Sequence, residues 1–367
     1  MRKGVFLSLN GKEVEEVLRD VWKRFLQTSL KALLLPIESE GFISPGLIRT
    51  PDGIERTRVL APYIPINTAR ILQMLTKLEP PSEPIGVVAR PCEIRAAIEL
   101  RKLKQVAEKN LLLLAIDCSG TYSLRLYQEK LKEGKIEEVQ VDQSLIRDAC
   151  KVCTYPVAPW SDLRVSYLGI EDGIFLEALT EEGERLLKES GFELEEKKFE
   201  KRERVLSELL EKRTLNENEL LRHQQEELKG YEALLRELSV CIKCHNCMVV
   251  CPICYCKECF FNSSSFEFEA DRFLNLLELK GVLRLPTEVL LFHLTRMAHM
   301  ALSCVGCGMC QEGCPQGVKV FELFKAVAKK VQGIFQYEPG RDPKETLPLT
   351  TFREEELKEV ESRLHDL

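Results

Sequence analysis

The pattern of apolar and polar positions divides the chain into three stretches with different periods. Up to about Gly173, short apolar runs alternate with helical patterns. Pro84-Ile85-Gly86-Val87-Val88-Ala89 reads as a buried strand, Glu93 to Gln105 as a helix with apolar positions at Ile94, Ala97, Ile98 and Leu103, and Leu111–Ile116 as a second buried strand. Strand, helix and strand joined by short connections predict a parallel α/β unit. From about Leu176 to Leu238 the chain is rich in Glu, Lys, Arg and Leu at helical spacing, with almost no Gly or Pro. This predicts an amphipathic helical connector with solvated charges, or a partner-binding arm. From Val240 to Gln332 two cysteine runs flank an apolar-periodic stretch expected to form helices at Phe273–Leu279 and Glu288–Ala301. A polar tail follows, with a last helical segment from Arg353 to Leu364. The expected organisation is therefore an α/β domain (residues 1–175), a charged helical connector (176–238), a mainly α-helical two-cluster domain (239–335) and a C-terminal tail (336–367).

Composition narrows the class. The chain has 367 residues, 44% hydrophobic and 30% charged, with a net charge of -6. That suits a sizeable core and gives no sign of nucleic-acid binding. The first 35 residues lack the features of a signal peptide, and the longest apolar runs are far shorter than the ~20 residues that span a bilayer. A cytoplasmic location is expected. Fifteen cysteines in such a chain read as metal ligands or redox groups, not as disulfides.

Cys241-x-x-Cys244-x-x-Cys247-x-x-x-Cys251-Pro252 and Cys304-x-x-Cys307-x-x-Cys310-x-x-x-Cys314-Pro315 have the spacing of two-cluster ferredoxins. Three thiolates of a run wrap one 4Fe-4S cube and the fourth, at a proline-assisted reversal, serves the other. Cys241, Cys244, Cys247 and Cys314 are then one ligand set, and Cys304, Cys307, Cys310 and Cys251 the other. Gly306 and Gly308 free the second loop to turn backbone N–H groups toward cluster sulfurs. Structural zinc sites use paired C-x-x-C units and fit this pattern poorly. The helical insert between the runs resembles the α-helical ferredoxin domains of succinate dehydrogenase and heterodisulfide reductase subunits.

Seven cysteines lie outside the eight-ligand pattern. Cys254, Cys256 and Cys259 follow the first run and read either as a zinc or further cluster site, completed by His245 or a cysteine from elsewhere, or as reduced thiols packed against Phe260 and Phe261. His245 itself reads as a loop residue near a cluster. Cys92 and Cys118 follow the two predicted strands, and Cys150-x-x-Cys153 is a compact pair able to join them at the strand-end edge, where α/β domains place ligands. Four thiolates there would make a third 4Fe-4S site, or a zinc site; ordinary core cysteines are the alternative.

Around these positions the chain resembles a family. Arg90-Pro-Cys-Glu-Ile-Arg, Asp117-Cys-Ser-Gly-Thr-Tyr, Ile146-Arg-Asp-Ala-Cys-Lys-Val-Cys and Asp162-Leu-Arg-Val-Ser-Tyr-Leu-Gly are similar to successive signatures of the coenzyme F-420 hydrogenase / formate dehydrogenase beta-subunit family, over roughly residues 55–173. The resemblance implies an iron–sulfur flavoprotein, with a third cluster on Cys92, Cys118, Cys150 and Cys153 and FAD beside it. It also implies electron transfer between a catalytic formate dehydrogenase or hydrogenase subunit and a soluble carrier or a heterodisulfide-reductase-like partner. No G-x-G-x-x-G follows a strand, so NAD has no fingerprint here. Candidate flavin contacts are Asn67, Thr68, Arg70, Arg90, Arg95, Ser119, Gly120 and Thr121; Asn67 or Thr68 equally reads as a helix N-cap. The ferredoxin runs follow the flavin-type domain, where several relatives place clusters first, so deazaflavin as the carrier does not follow from the resemblance. The rival functional reading is an electron-wire subunit that lacks flavin; a third is a zinc-stabilised scaffold.

Overall fold

The structure, a computed structural model, describes residues 2–134, 141–266, 270–281 and 287–352. Its strands are β1 (Arg2–Ser8), β2 (Ala32–Ser39), β3 (Phe42–Ile48), β4 (Ile85–Ala89), β5 (Leu111–Ile116), β6 (Leu163–Ser166), β7 (Gly173–Ala178) and β8 (Glu195–Lys197). They form one sheet in the order β3-β2-β4-β5-β6-β7-β1-β8. The central pairs β2–β4, β4–β5 and β5–β6 are parallel, and the flanking pairs are antiparallel.

The expected strand–helix–strand unit is β4, α3 (Pro91–Lys102) and β5. Alternate residues of these strands enter different cores, as a sheet covered on both faces requires. Val88, Leu114, Ile116, Leu163 and Val165 join α1 (Val14–Thr28) and α6 (Glu181–Glu189) on one face. Val87, Ala89, Leu113 and Ala115 face α2 (Thr68–Thr76) and α3 on the other. That second core continues into the cysteine-rich region through Met248, Ile253, Phe292, Val305 and Leu323. The cluster-type region is thus fused to the α2/α3 face of the sheet. Between β5 and β6 run α4 (Leu124–Lys132) and α5 (Asp148–Lys151).

The expectation for residues 176–238 needs correction. The sheet does not end at residue 175. β7 and β8 extend it, because Ile174, Phe175 and Leu176 are an apolar run too short to stand out before a charged stretch. The helix expected there exists as α7 (Glu200–Glu227), followed by α8 (Tyr231–Leu238), but its charges are not all solvated. Arg202, Arg213, Glu217 and Gln224 are buried. Their spacings of about 11, 4 and 7 residues keep them on one helix face, so α7 buries a polar stripe where an apolar one would ordinarily lie.

That stripe braces the molecule. Arg202 pairs with Asp117 at the end of β5, with Nη2 donating to Oδ1 at 2.9 Å, and Asp117 also accepts the backbone N–H groups of Tyr167 and Leu168. Further along, Glu217 binds Lys325 and Lys329 on α13 (Val320–Ile334), and Gln224 donates to Glu322.

The cysteine-rich region contains α9 (Asn246–Val249), α10 (Ala270–Lys280), α11 (Thr287–Met300), α12 (Met309–Glu312) and α13, so both inserted helices exist. The start of the C-terminal tail is docked, not free. Tyr337 Oη and the Gly340 N–H both bond Glu99 of α3, and Tyr337 and Leu347 are buried. The expected helix at Arg353–Leu364 lies outside the described residues.

Candidate iron–sulfur centres

The two ferredoxin-type runs fold as copies of one loop. In the second run Gly306 and Gly308 have φ of +71° and +72°. In the first run Lys243 and His245 occupy the equivalent positions with φ of +59° and +57°. Left-handed backbone is costly for residues with a Cβ, so the loop shape is imposed by the surroundings and not by glycine alone. His245 is held by Asn262 at 3.1 Å and stacks on Phe292. It is a loop residue beside the first site, as expected.

The last cysteine of each run lies with the first three of the other run. Cys241, Cys244, Cys247 and Cys314 line a single pocket. Burial first, then the neighbouring thiols of Cys241, Cys314 and Cys244, push Cys247 up to about 11, against the pull of Arg296. In the other set, burial and then Cys251 and Cys304 push Cys307 up to about 12. Cys310 is raised well above its ordinary value by burial and then by Cys251, Cys307 and Cys304. Each run therefore sends its last cysteine to the other run's group.

The four scattered cysteines lie on neighbouring loops and act electrostatically on one another. Cys92 begins α3 after β4, Cys118 follows β5, and Cys150 and Cys153 flank the end of α5. Burial and then Glu93, Cys307, Cys118 and Cys153 raise Cys92. Burial raises Cys153 too, Arg213 opposes it, and Cys150 and Cys118 add to the rise. Cys150 is lowered: burial alone would raise it, but Arg147 and bonds from Thr121 outweigh that.

The surroundings suit a negatively charged group at all three places. Arg90 Nη1 lies 3.4 Å from Cys118 Sγ, and Arg147 Nη2 lies 3.8 Å from Cys150 Sγ. Arg213, reaching in from α7, donates to the carbonyls of Ser119 and Cys153. On the ferredoxin side, Arg296 Nη1 lies 3.1 Å from Cys247 Sγ, and His293 Nε2 lies 3.5 Å from Cys241 Sγ. Burial lowers His293 to about 4, so it faces the site as a neutral imidazole. Buried guanidinium groups aimed at thiols are costly unless negative charge collects there, and thiolate-ligated cubes supply such charge. Among the described residues no three His, Cys, Asp or Glu side chains converge closely enough for a single metal ion. Ligands on separate irons of a cube need not meet at one point.

Sequence reading missed Arg147, Arg213, His293 and Arg296 as site residues. Arg147, three positions before Cys150, offered a local cue. The others sit on helices where a lone basic or imidazole side chain reads as surface.

The proposed flavin contacts each have partners within the chain, although the buried Nδ2 of Asn67 has none. Asn67 caps α2 by accepting the Ala69 N–H, and Thr68 donates its N–H and hydroxyl to Glu93. Arg70 donates to Gln73 and the Cys254 carbonyl, both at 2.9 Å. Arg90 is spent on Cys118 and the Ala61 carbonyl. Arg95 donates to the Pro339 and Val305 carbonyls and lies over the Tyr155 ring. The Ser119 carbonyl receives Arg213 and Gln143, Gly120 packs on Ile146, and Thr121 receives Arg147 and faces Cys150. Arg90, Ser119, Gly120 and Thr121 surround the third cysteine site, Asn67 and Thr68 anchor the start of α2, Arg70 holds the Cys254 loop, and Arg95 ties α3 to the Val305 and Pro339 segments.

Cys254, Cys256 and Cys259 line a cavity of their own on the other side of Arg296. No helix among the described residues is long and apolar enough to cross a membrane.

Comparison with known proteins agrees with this geometry. The model of a 4Fe-4S dicluster domain matches residues 237–318. The chain is 28% identical over 296 residues to the F420-dependent formate dehydrogenase subunit beta of Methanocaldococcus jannaschii, covering 70% of this chain and 74% of that protein. It is 27% identical over 300 residues to F420-dependent formate dehydrogenase 1 subunit beta of Methanococcus maripaludis, covering 70% and 73%. A chain of the F420-reducing [NiFe] hydrogenase complex from Methanosarcina barkeri superposes with a TM-score of 0.47 at 13% identity, over 61% of this chain and 93% of that one. The chain thus matches a 4Fe-4S dicluster domain over residues 237–318 and is similar over 70% of its length to the beta subunits of F420-dependent formate dehydrogenases, in keeping with the resemblance of its cysteine-bearing loops.

Proposed function

We propose that this chain is a beta-type, iron–sulfur electron-transfer subunit of a formate dehydrogenase or hydrogenase, passing electrons between a catalytic subunit and a carrier. The observation that carries the reading is the contact between two cysteine systems that are far apart in sequence. The loop of Gly308 packs on Ala149, next to Cys150, and Cys307 is close enough to act electrostatically on the Cys92 thiol. Cys241, Cys244, Cys247 and Cys314 would hold one cluster, Cys251, Cys304, Cys307 and Cys310 a second, and Cys92, Cys118, Cys150 and Cys153 a third. Bound 4Fe-4S clusters supply one-electron transfer, and the chain supplies their placement and electrostatics. Arg90 and Arg147 place positive charge at the third site, and Arg296 places it at both ferredoxin-type sites. The α7 brace ties the third site's loops to α13.

The engaged contacts favour the flavin-free version of this subunit. A flavin would need other groups than those eight, so no step is assigned to one. The deazaflavin F420 in the relatives' names exchanges hydride, so it belongs with a flavin-bearing version; the flavin-free version calls for a one-electron carrier. A heterodisulfide-reductase-like partner rests on the helical insert's resemblance alone.

The test is metal and flavin content of anaerobically purified protein. Replacing Cys118 by Ala is expected to remove about four iron and four sulfide per chain; unchanged iron content would refute the third site. Extracted FAD in stoichiometric amount would overturn the flavin-free version and leave the cluster assignment standing.

A further inference from the structure

We infer that Cys254, Cys256 and Cys259 hold a fourth 4Fe-4S cluster in a surface cavity beside the second ferredoxin-type site, with His299 placed as the fourth ligand. The three thiols and His299 line one cavity of about 450 Å³, within the range of cofactor pockets, roughly 300–1,000 Å³.

The loop carrying the thiols is held from two sides. Arg70, reaching from α2, donates to the Cys254 carbonyl at 2.9 Å. Arg296, from α11, bonds the Cys254 thiol. The charged groups of the lining are Arg70, Lys257 and Arg296 against Glu258. That balance suits an anionic thiolate cluster and works against a bare divalent cation.

The two alternatives explain less. Packing of reduced thiols requires a buried apolar surround, yet Cys256 is exposed and Phe260 is 64% exposed. Only Phe261 is in the core. A zinc site requires thiolates gathered around one point at Zn–S distances of about 2.3 Å. No such convergence exists among the described residues, and the two ferredoxin-type sets share that wider arrangement. Cys254 is also an electrostatic neighbour of Cys251, a ligand of the second site. The fourth cluster would therefore branch from the second toward solvent, giving the chain a second electron port. This assignment does not depend on the third site being filled.

The experiment compares full-length protein, purified anaerobically, with a Cys254→Ala/Cys256→Ala/Cys259→Ala variant. Wild type is expected to contain about four more iron and four more sulfide per chain, with both ferredoxin-type EPR signals retained in the variant. Cys256→Ala alone alters an exposed side chain and guards against a folding failure; it is expected to lose the same component of the spectrum. Equal iron in wild type and both variants would overturn the inference, as would stoichiometric zinc that the variants lose. The Cys118→Ala result is read on different iron, so the two assignments fail separately.

Discussion

Gly308 and Ala149 are in direct contact: a Cβ on Gly308 would stand 2.3 Å from the Ala149 Cβ. One belongs to the second ferredoxin-type loop and the other to the helix carrying Cys150. Gly308→Ala adds left-handed strain, about 1–2 kcal/mol, to overpacking of about 1–3 kcal/mol. A lower thermal midpoint is expected, with iron lost from the second and third sites before the first. Full retention of iron and midpoint would show that the contact is not tight.

The ligand exchange between runs gives a pairing test. Cys314→Ser is expected to remove the same EPR signal as Cys241→Ser, although Cys314 lies in the second run. Cys251→Ser should match Cys304→Ser. If each signal instead follows its own run, the crossed arrangement is wrong.

Arg296 is a buried cation whose electrostatic neighbours are Cys247, Cys251, Cys254 and Cys310. Positive charge favours the reduced, more negative form of a cluster. Arg296→Gln is therefore expected to lower the midpoint potentials of both ferredoxin-type clusters by roughly 50–150 mV, from a charge ~6 Å away at an effective dielectric near 20. Potentiometric titration followed by EPR reads this directly.

The Arg202–Asp117 pair has both side chains fully buried. Breaking such a pair from one side strands a charge and costs about 3–5 kcal/mol. Arg202→Met should lower the thermal midpoint and expose the β5 end to proteolysis. An unchanged midpoint would mean that α7 is not a brace.

Glu217 supplies a pH test. Burial pushes its carboxyl up, but Lys325 and Lys329 outweigh burial and hold it below its ordinary 4.5. A depressed folded value means that the stabilisation is complete above the unfolded value and fades as pH falls below it. Glu217→Gln should lose about 2 kcal/mol near neutral pH. The gap from wild type, followed by thermal unfolding, should narrow below about pH 4.5. A gap constant with pH would sever α7 from this role.

Some of this was readable in the chain itself. The grouping of the two cysteine runs, with their last cysteines exchanged, was legible because residue spacing within a short loop is local geometry. β5 fell where its apolar run lies, and β4 and α3 within a few residues, because their periods are local too. The grouping of Cys92, Cys118, Cys150 and Cys153 was suggested by strand-end placement. What brought them together was the parallel register of β4, β5 and β6, a long-range property. The buried stripe of α7 was hidden because its side chains are charged, and only their partners on other elements reveal that they face inward. The candidate flavin residues illustrate the same point: arginine and threonine in a loop look available until tertiary packing gives them a carbonyl, a carboxylate or a thiol as partner. The sequence alone determined the spacing of the paired cysteine runs; the fold decided that those runs abut the loops of Cys92, Cys118, Cys150 and Cys153 and that Cys254, Cys256 and Cys259 open onto a cavity, since both depend on contacts between residues far apart in the chain.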